Sequence, residues 1–162
     1  MSVTSGSVRL SRAQLRSWRA FLRAHAEVTR RLENDLVAEH QLPLAWYDVL
    51  VQLVEAPDRR LRMTDLAGQV LISRSGLTRL VDRLVAEGLV RRERAADDAR
   101  GTFAVMTDEG YKRLRQATPT HLRGVASYVV DRVTPEQLAS LGDACALIAE
   151  PPVDGESADA EQ

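Results

Sequence analysis

Apolar residues recur at helical spacing in six stretches of the chain and read as short extended runs only near its middle. The first stretch is the longest. From Ser11 onward, Leu15, Trp18, Leu22, His25, Thr29, Leu32 and Leu36 follow at spacings of three and four, which predicts a helix to about His40 with one seam. Ser11 and Gln14 form a capping box, each satisfying a free N–H at the helix start. A seam this long exceeds what one small domain covers, so it predicts packing against another long helix. Leu42-Pro43 interrupts it, and Pro43 suits the first turn of a second helix over residues 44–56. Trp46, Val49, Leu50, Leu53 and Val54 form one stripe of that helix, and Leu44, Tyr47 and Val51 another. An element apolar on two sides belongs at the centre of the fold. Ala56-Pro57-Asp58 closes it, and residues 61–63 read as a short strand that pairs with later ones.

Residues 63–106 carry denser signals. Thr64 is expected to cap a short third helix to about Val70, with Leu66 and Val70 inward. Leu71-Ile72 makes a turn, and Ser73 caps a fourth helix whose buried stripe is Leu77, Leu80, Val81 and Leu84. Its opposite face presents Arg74, Ser75, Thr78, Arg79, Asp82 and Arg83. Gly88 can take the left-handed conformation that stops a helix, with Leu89 folding back on the last turn. Two extended runs, residues 90–94 and 102–106, then flank a polar loop. Helix, turn, helix and ribbon outline a winged helix-turn-helix.

Beyond the ribbon, Thr107 caps a fifth helix to about Arg132, with Leu114, His121 or Leu122, Val125, Tyr128 and Val129 on one face. Pro119 lies inside it. Proline lacks the N–H and clashes one turn back, which predicts a kink or short break at Thr118-Pro119. Thr134-Pro135-Glu136-Gln137 restarts the chain with an N-cap, a first-turn proline and a capping-box glutamine. Leu138, Leu141, Cys145 and Ile148 line the sixth helix, which Pro151-Pro152 stops. Residues 1–10 and 151–162 have nothing to bury and are expected to be disordered. The expected fold is mainly α with a small β-wing. A winged helix-turn-helix lobe over residues 43–106 lies between dimerisation helices at 11–42 and 107–150, whose spare seams interleave with those of a second copy.

Charge then points to a partner. Residues 59–100 hold ten arginines against six carboxylates, while the 162-residue chain as a whole carries −1. Basic charge is concentrated around the helix-turn-helix, as attraction to phosphates requires. A helix of this length fits the major groove, where Arg bonds guanine edges and Ser or Thr reaches bases and phosphates. The candidate DNA-contacting residues are Thr64, Ser73, Arg74, Ser75, Thr78, Arg79, Arg83 and Arg94. Two alternatives are a winged-helix module that binds protein and an architectural DNA binder that needs no ligand. Steep weakening with salt on a palindromic fragment excludes the first; preference over random sequence excludes the second.

The run LVRRERAADDARGTFAVMTDEG resembles the wing of the MarR (multiple-antibiotic-resistance regulator) family. Asp98-Ala99-Arg100 stands at the tip, and Thr107-Asp108-Glu109-Gly110 opens the next helix. Met106 stands where the family usually has Leu. The upstream SRSGLTRLVDRLVAEGLV is similar to the family's recognition helix, and the likeness runs from about Ser11 to Ile148. It implies a cytoplasmic, homodimeric transcriptional regulator, a repressor, on a pseudo-palindromic double-stranded DNA operator. It also implies that Arg100 enters the minor groove with Asp98 positioning it. A narrow minor groove attracts an inserted arginine, and a carboxylate can fix a guanidinium through paired hydrogen bonds. Release by a small aromatic or phenolic effector is implied too. Trp18, His25, Trp46 and Tyr47 would wall its pocket, with Arg16 and Arg19 nearby to attract an anion.

Other chemistry finds little support. No nucleophile–base or paired-carboxylate arrangement stands at catalytic spacing, so the chain is not expected to be an enzyme. His25, His40 and His121 lack metal-ligand spacing, and no cofactor or metal is expected. The single cysteine, Cys145, excludes an internal disulfide and falls on an apolar stripe, which reads as packing and not redox sensing. No apolar run approaches the ~18–20 residues that cross a bilayer, and no signal-peptide core opens the chain. No membrane partner is expected.

Overall fold

In a computed structural model of the chain, residues 9–70, 74–95 and 98–150 are described, with Arg74, Ala95 and residues 98–100 described in backbone alone. The elements run α1 (Arg12–His40), α2 (Leu44–Glu55), β1 (Arg60–Arg62), α3 (Met63–Gln69), α4 (Arg74–Ala86), β2 (Val90–Ala95), β3 (Asp98–Met106), α5 (Asp108–Tyr128) and α6 (Pro135–Ala149). The chain divides into two compact units after Val125. Residues 1–8 of the leading arm, the 71–73 segment with Ser73, residues 96–97 of the expected polar loop, and the tail beyond residue 150 lie outside the described residues.

In the first unit, α1 begins where the capping box places it, Gln14 N–H on Ser11 Oγ and Ser11 N–H on Gln14 Oε1. It ends on Gln41, in the left-handed conformation at φ 51°. Its two halves differ. Leu32 and Leu36 are buried, whereas Trp18, Phe21 and Leu22 are exposed. The core forms around α2, as its two apolar sides require. Val49, Leu50 and Leu53 are fully buried, and Leu44, Trp46, Val51 and Val54 pack on the same cluster. Leu36, Leu66, Leu77, Val81, Leu84 and Leu114 complete it from the surrounding helices. Pro43 is the N-cap of α2 and not its first residue. It has no side-chain donor or acceptor to close the cap, and the Glu33 carboxylate on α1 accepts the Leu44 N–H instead.

Three further expectations are corrected. The edge strand is Arg60–Arg62, one residue earlier than its apolar content indicated, and Met63 already opens α3. Thr64 is therefore inside the helix, and its hydroxyl meets the Asp65 carboxylate at 3.2 Å. Of the kink or short break expected at Thr118-Pro119, the break is absent: α5 runs continuously through Pro119, and it ends at Tyr128, four residues short of Arg132. Proline removes one backbone bond, but the neighbouring Thr118 hydroxyl donates to the Leu114 carbonyl at 2.8 Å and ties that turn.

The C-terminus of α1 is fastened to α5 just past that proline. Buried Thr120 donates to Glu39 at 2.7 Å, so its oxygen is left to accept from His40 Nε2 at 2.9 Å. Arg123 donates to both Glu39 oxygens, at 2.7 and 2.9 Å. One residue further on, His121 stacks on the buried Tyr47 ring with centroids 4.4 Å apart, and its Nδ1 has no hydrogen-bond partner among the described residues. Burial holds the His121 imidazole below its ordinary pKa of 6.5. A base depressed in the folded state binds protons more readily when unfolded. Its contribution is complete above pH 6.5 and drains away as pH falls below that value. The thermal midpoint should therefore drop between pH 7 and pH 5, and His121→Phe, which keeps the stack but cannot titrate, should flatten that drop. An equal drop in wild type and variant excludes His121 as the source.

In the second unit, a 3-10 turn (Val130–Arg132) leads to α6, which starts with the predicted Thr134–Gln137 capping box and first-turn proline. No residue of α6 is buried; Leu147 and Ile148 are among its most exposed.

Candidate nucleic-acid interface

The helix-turn-helix and ribbon are built as one block. Leu77, Val81 and Leu84 anchor the inner side of α4, which leaves Ser75, Thr78, Arg79, Asp82 and Arg83 exposed on the other. α4 stops at Gly88, φ 70°, where the Leu89 N–H bonds the Leu84 carbonyl and buried Leu89 folds back. β2 starts at once and pairs antiparallel with β3, which also pairs with β1, in the order β1-β3-β2. The register shifts between Arg94 and Ala95 near the tip, so both strands extend beyond the expected 90–94 and 102–106. Bulges of this kind occur where a strand re-aims a side chain.

A contact not expected from the sequence fixes the ribbon to the helix. Arg92 on β2 places Nη2 2.8 Å from the Asp82 carboxylate and 3.3 Å from the Thr78 carbonyl, both on α4. This brace holds the ribbon and α4 in one relative position. Strand alternation could have revealed it, since Val90 and Arg92 share a sheet face and Val90 is core. Beside the brace lies a cavity of about 410 Å³ lined by Arg62, Thr64, Thr78, Arg92 and Thr102 among others. Two guanidiniums and three hydroxyls around one cavity are groups that hold a phosphate. Arg62, Arg92 and Thr102 were not among the candidates read from the sequence.

Of those candidates, Thr64, Ser75, Thr78, Arg79, Arg83 and Arg94 are exposed. Thr64 and Thr78 meet at the cavity, and Arg79 Nε reaches its own helix at the Ser75 carbonyl, 3.4 Å. Arg74 begins α4 and Asp98 begins β3, with Arg100 two residues on, but the side chains of all three lie outside the described residues, as does Ser73.

The four effector candidates do not come together. Trp18 is exposed and stacks on Phe21 at 6.1 Å, Trp46 packs against the core, and Tyr47 is buried under His121. Only His25 lines the groove between α1 and α2, a space of about 700 Å³ bounded also by Thr29, Glu33, Leu44, Asp48 and Val70. Its charge is acidic in character. Burial, and then the neighbouring Glu33 carboxylate, push the Asp48 carboxyl above its ordinary value. Arg30 at the rim is already held by Glu27 at 2.8 Å. Among the described residues no group of three His, Cys, Asp or Glu side chains could hold a metal ion, and no helix is long and apolar enough to cross a membrane.

Comparison with known proteins agrees with this geometry. The profile described as the MarR family matches residues 40–101. The crystal structure of Sco3205, a MarR family transcriptional regulator from Streptomyces coelicolor in complex with DNA, is 41% identical, with a TM-score of 0.86 over 91% of this chain and 92% of that one. AbsC, a MarR family regulator from the same organism, is 35% identical, with a TM-score of 0.82 over 88% and 96%. The HTH-type transcriptional repressor YetL of Bacillus subtilis is 32% identical over 81 residues, half of this chain. The match spans only 48% of YetL.

Proposed function

The chain belongs to the MarR family of transcriptional regulators, DNA-binding proteins and not enzymes, and from that premise we propose that it works as a homodimeric repressor of a pseudo-palindromic operator. The observation that carries this reading is the exposed polar face of α4, braced to the ribbon through Arg92 and Asp82. Phosphate contacts around Arg62, Thr64 and Arg92 set the register. Arg74, Ser75, Thr78 and Arg79 then read base edges, with Ser73 and Arg83 close by, and Arg94 follows the backbone toward the tip. Arg100, positioned by Asp98, takes the adjoining minor groove. The likeness to YetL supports the repressor role, and work on DNA supports a cytoplasmic location.

A homodimer is supported by α1, which leaves Trp18, Phe21 and Leu22 exposed along the half that the core does not use. Such a pair brings two recognition helices about 34–36 Å apart, one turn of the duplex. For the effector, the α1–α2 groove is the best-formed candidate. A small aromatic molecule seated there meets Glu33 and Asp48, which favours a neutral or cationic ring over the phenolic anion that the family resemblance implied. Binding at this junction would change the distance between the two recognition helices and so lower operator occupancy.

Selection of duplexes from a random pool by the purified protein tests the reading. A palindrome with half-sites one turn apart is expected, bound with an affinity that falls by several powers of ten per tenfold rise in salt. Arg100→Ala should weaken that binding more than tenfold at fixed salt, as loss of a specific arginine contact does (about 1–3 kcal/mol). Unchanged affinity would remove the ribbon tip from the interface, and recovery of no preferred sequence would defeat the operator reading.

A further inference from the structure

We propose that the outer face of the three-stranded sheet is a second DNA-contacting surface, which takes the sugar–phosphate backbone of duplex flanking the half-site. It rests on the reading of α4 and the ribbon as the operator-contacting elements. Strand register sets Arg60, Val105 and Arg91 side by side, and Arg62, Phe103 and Glu93 side by side two residues along. Alternation puts both rows on the face opposite Leu61 and Ala104, which join the core. Val105 is buried yet lies outside the core cluster, flanked in register by the Arg60 and Arg91 stems.

The charged groups on this face are ordered. The Arg60 guanidinium lies 4.0 Å from the Phe103 ring centroid, and that of Arg62 5.2 Å. Glu93 pairs with Arg91 at 2.6 Å and approaches Arg60 at 3.7 Å. The guanidiniums of Arg60 and Arg91 share the single Glu93 carboxylate, so these three groups together keep a positive excess. A guanidinium stacked on a ring is weakly hydrated and presents its N–H edge outward in a fixed plane, a geometry that suits phosphate oxygens. Ring stacking and Glu93 together immobilise side chains that would otherwise lose rotamer freedom on binding.

Continuity identifies the occupant. Arg62 also lines the polar cavity beside α4, so the basic surface passes from the recognition helix, round the edge strand β1, to the outer face. Beyond β1, Arg59 lies 3.9 Å over the Tyr111 ring of α5, where the Asp108 carboxylate, also at 3.9 Å, closes the basic surface on that side. A duplex lying along α4 and the ribbon needs only to extend outward to meet it. An acidic segment of another protein has no such continuity to favour it.

The selected palindrome, trimmed to its two half-sites or extended by about ten base pairs on each side, is titrated with wild type, R60A/R91A and R60K/R91K. Wild type should bind the extended duplex about tenfold tighter, with a salt slope steeper by one to two. R60A/R91A should match wild type on the trimmed duplex and lose that gain, while the lysine pair, which keeps charge but not the planar stack, should retain part of it. Indifference of wild type to flank length overturns the proposal, as does a gain that survives in R60A/R91A. Loss of trimmed-duplex binding in R60A/R91A also overturns it, by moving these arginines into half-site contact. Capture of a polyglutamate peptide by wild type alone, without a length effect, would assign the face to an acidic protein. Failure of wild type on the trimmed duplex would instead defeat the underlying operator reading.

Discussion

Gly110→Ala is expected to lower the thermal midpoint by roughly 10 °C and to abolish operator binding near physiological temperature. A Cβ built on Gly110 would overlap the Leu89 carbonyl oxygen and stand 3.0 Å from that carbonyl carbon and 3.2 Å from Met106 Cγ. None of these neighbours can swing aside. The Leu89 carbonyl already accepts the Thr107 N–H at 3.1 Å, and Leu89 and Met106 are both buried. Thr107 completes the junction: its hydroxyl donates to the Gly88 carbonyl at 2.7 Å and accepts the Gly110 N–H at 3.0 Å. The end of α4, the start of β2 and the first turn of α5 thus share one small volume. Overpacking of this kind costs about 3 kcal/mol or more, and a domain of this size loses roughly 2–4 °C per kcal/mol. Relief requires α5 to move away from Leu89, which shifts the C-terminal end of the recognition helix. Thr107→Ser should be nearly silent, since it keeps both hydrogen bonds, and Thr107→Ala should cost about 1 kcal/mol as a lost cap. A Gly110→Ala protein melting within two or three degrees of wild type, read by circular dichroism, would show that the junction yields.

This junction also shows how the sequence could be read and where reading stopped. Thr107 and Gly110 are visible as a motif, and Thr107 as a cap, but the purpose of the glycine lies in a carbonyl twenty-one residues earlier. Local signals of that order were legible: both capping boxes, the Gly88 stop, the two-sided apolar character of α2, and the buried stripe of α4. Each depends on neighbours within a turn or two. What escaped was non-local. Thr64 looks like a cap because a threonine precedes an apolar period, yet the helix that follows the β1–β3 pairing starts two residues sooner, with Arg62 as its N-cap. Pro119 looks like a break, but one lost bond does not outweigh a helix fastened on either side, by Thr118 to its own turn and by Thr120 and Arg123 to Glu39. Strand alternation puts Arg92 on the core side of β2, but its partners Asp82 and Thr78 depend on the angle between α4 and β2, which no spacing encodes. Chemistry alone groups the aromatic residues as pocket walls. Tyr47 faces the core because α2 offers two equally apolar sides, and Trp18 lies on the exposed half of the single α1 seam.

That exposed half of α1 carries the other large prediction. Trp18→Glu with Leu22→Glu should convert the protein to a folded monomer and weaken operator binding by about 10²–10³. Trp18 is 54% exposed and Leu22 44%, and neither belongs to the core cluster, so the charges enter without opening the first unit. In the proposed dimer the same positions are covered by apolar groups of the partner, and two buried carboxylates on each subunit, four in all, could not be solvated there. The thermal midpoint should move little beyond any part owed to subunit association, whereas sedimentation should report half the mass. Loss of affinity follows from arithmetic. Once one recognition helix is seated, its twin sees the second half-site at an effective concentration set by the linkage, in the millimolar range, and a monomer forfeits that advantage. Salt dependence should fall in parallel, because half of the phosphate contacts go. A variant that sediments as a monomer but binds the palindrome as tightly as wild type would show that one copy suffices. The unused α1 seam would then need another partner.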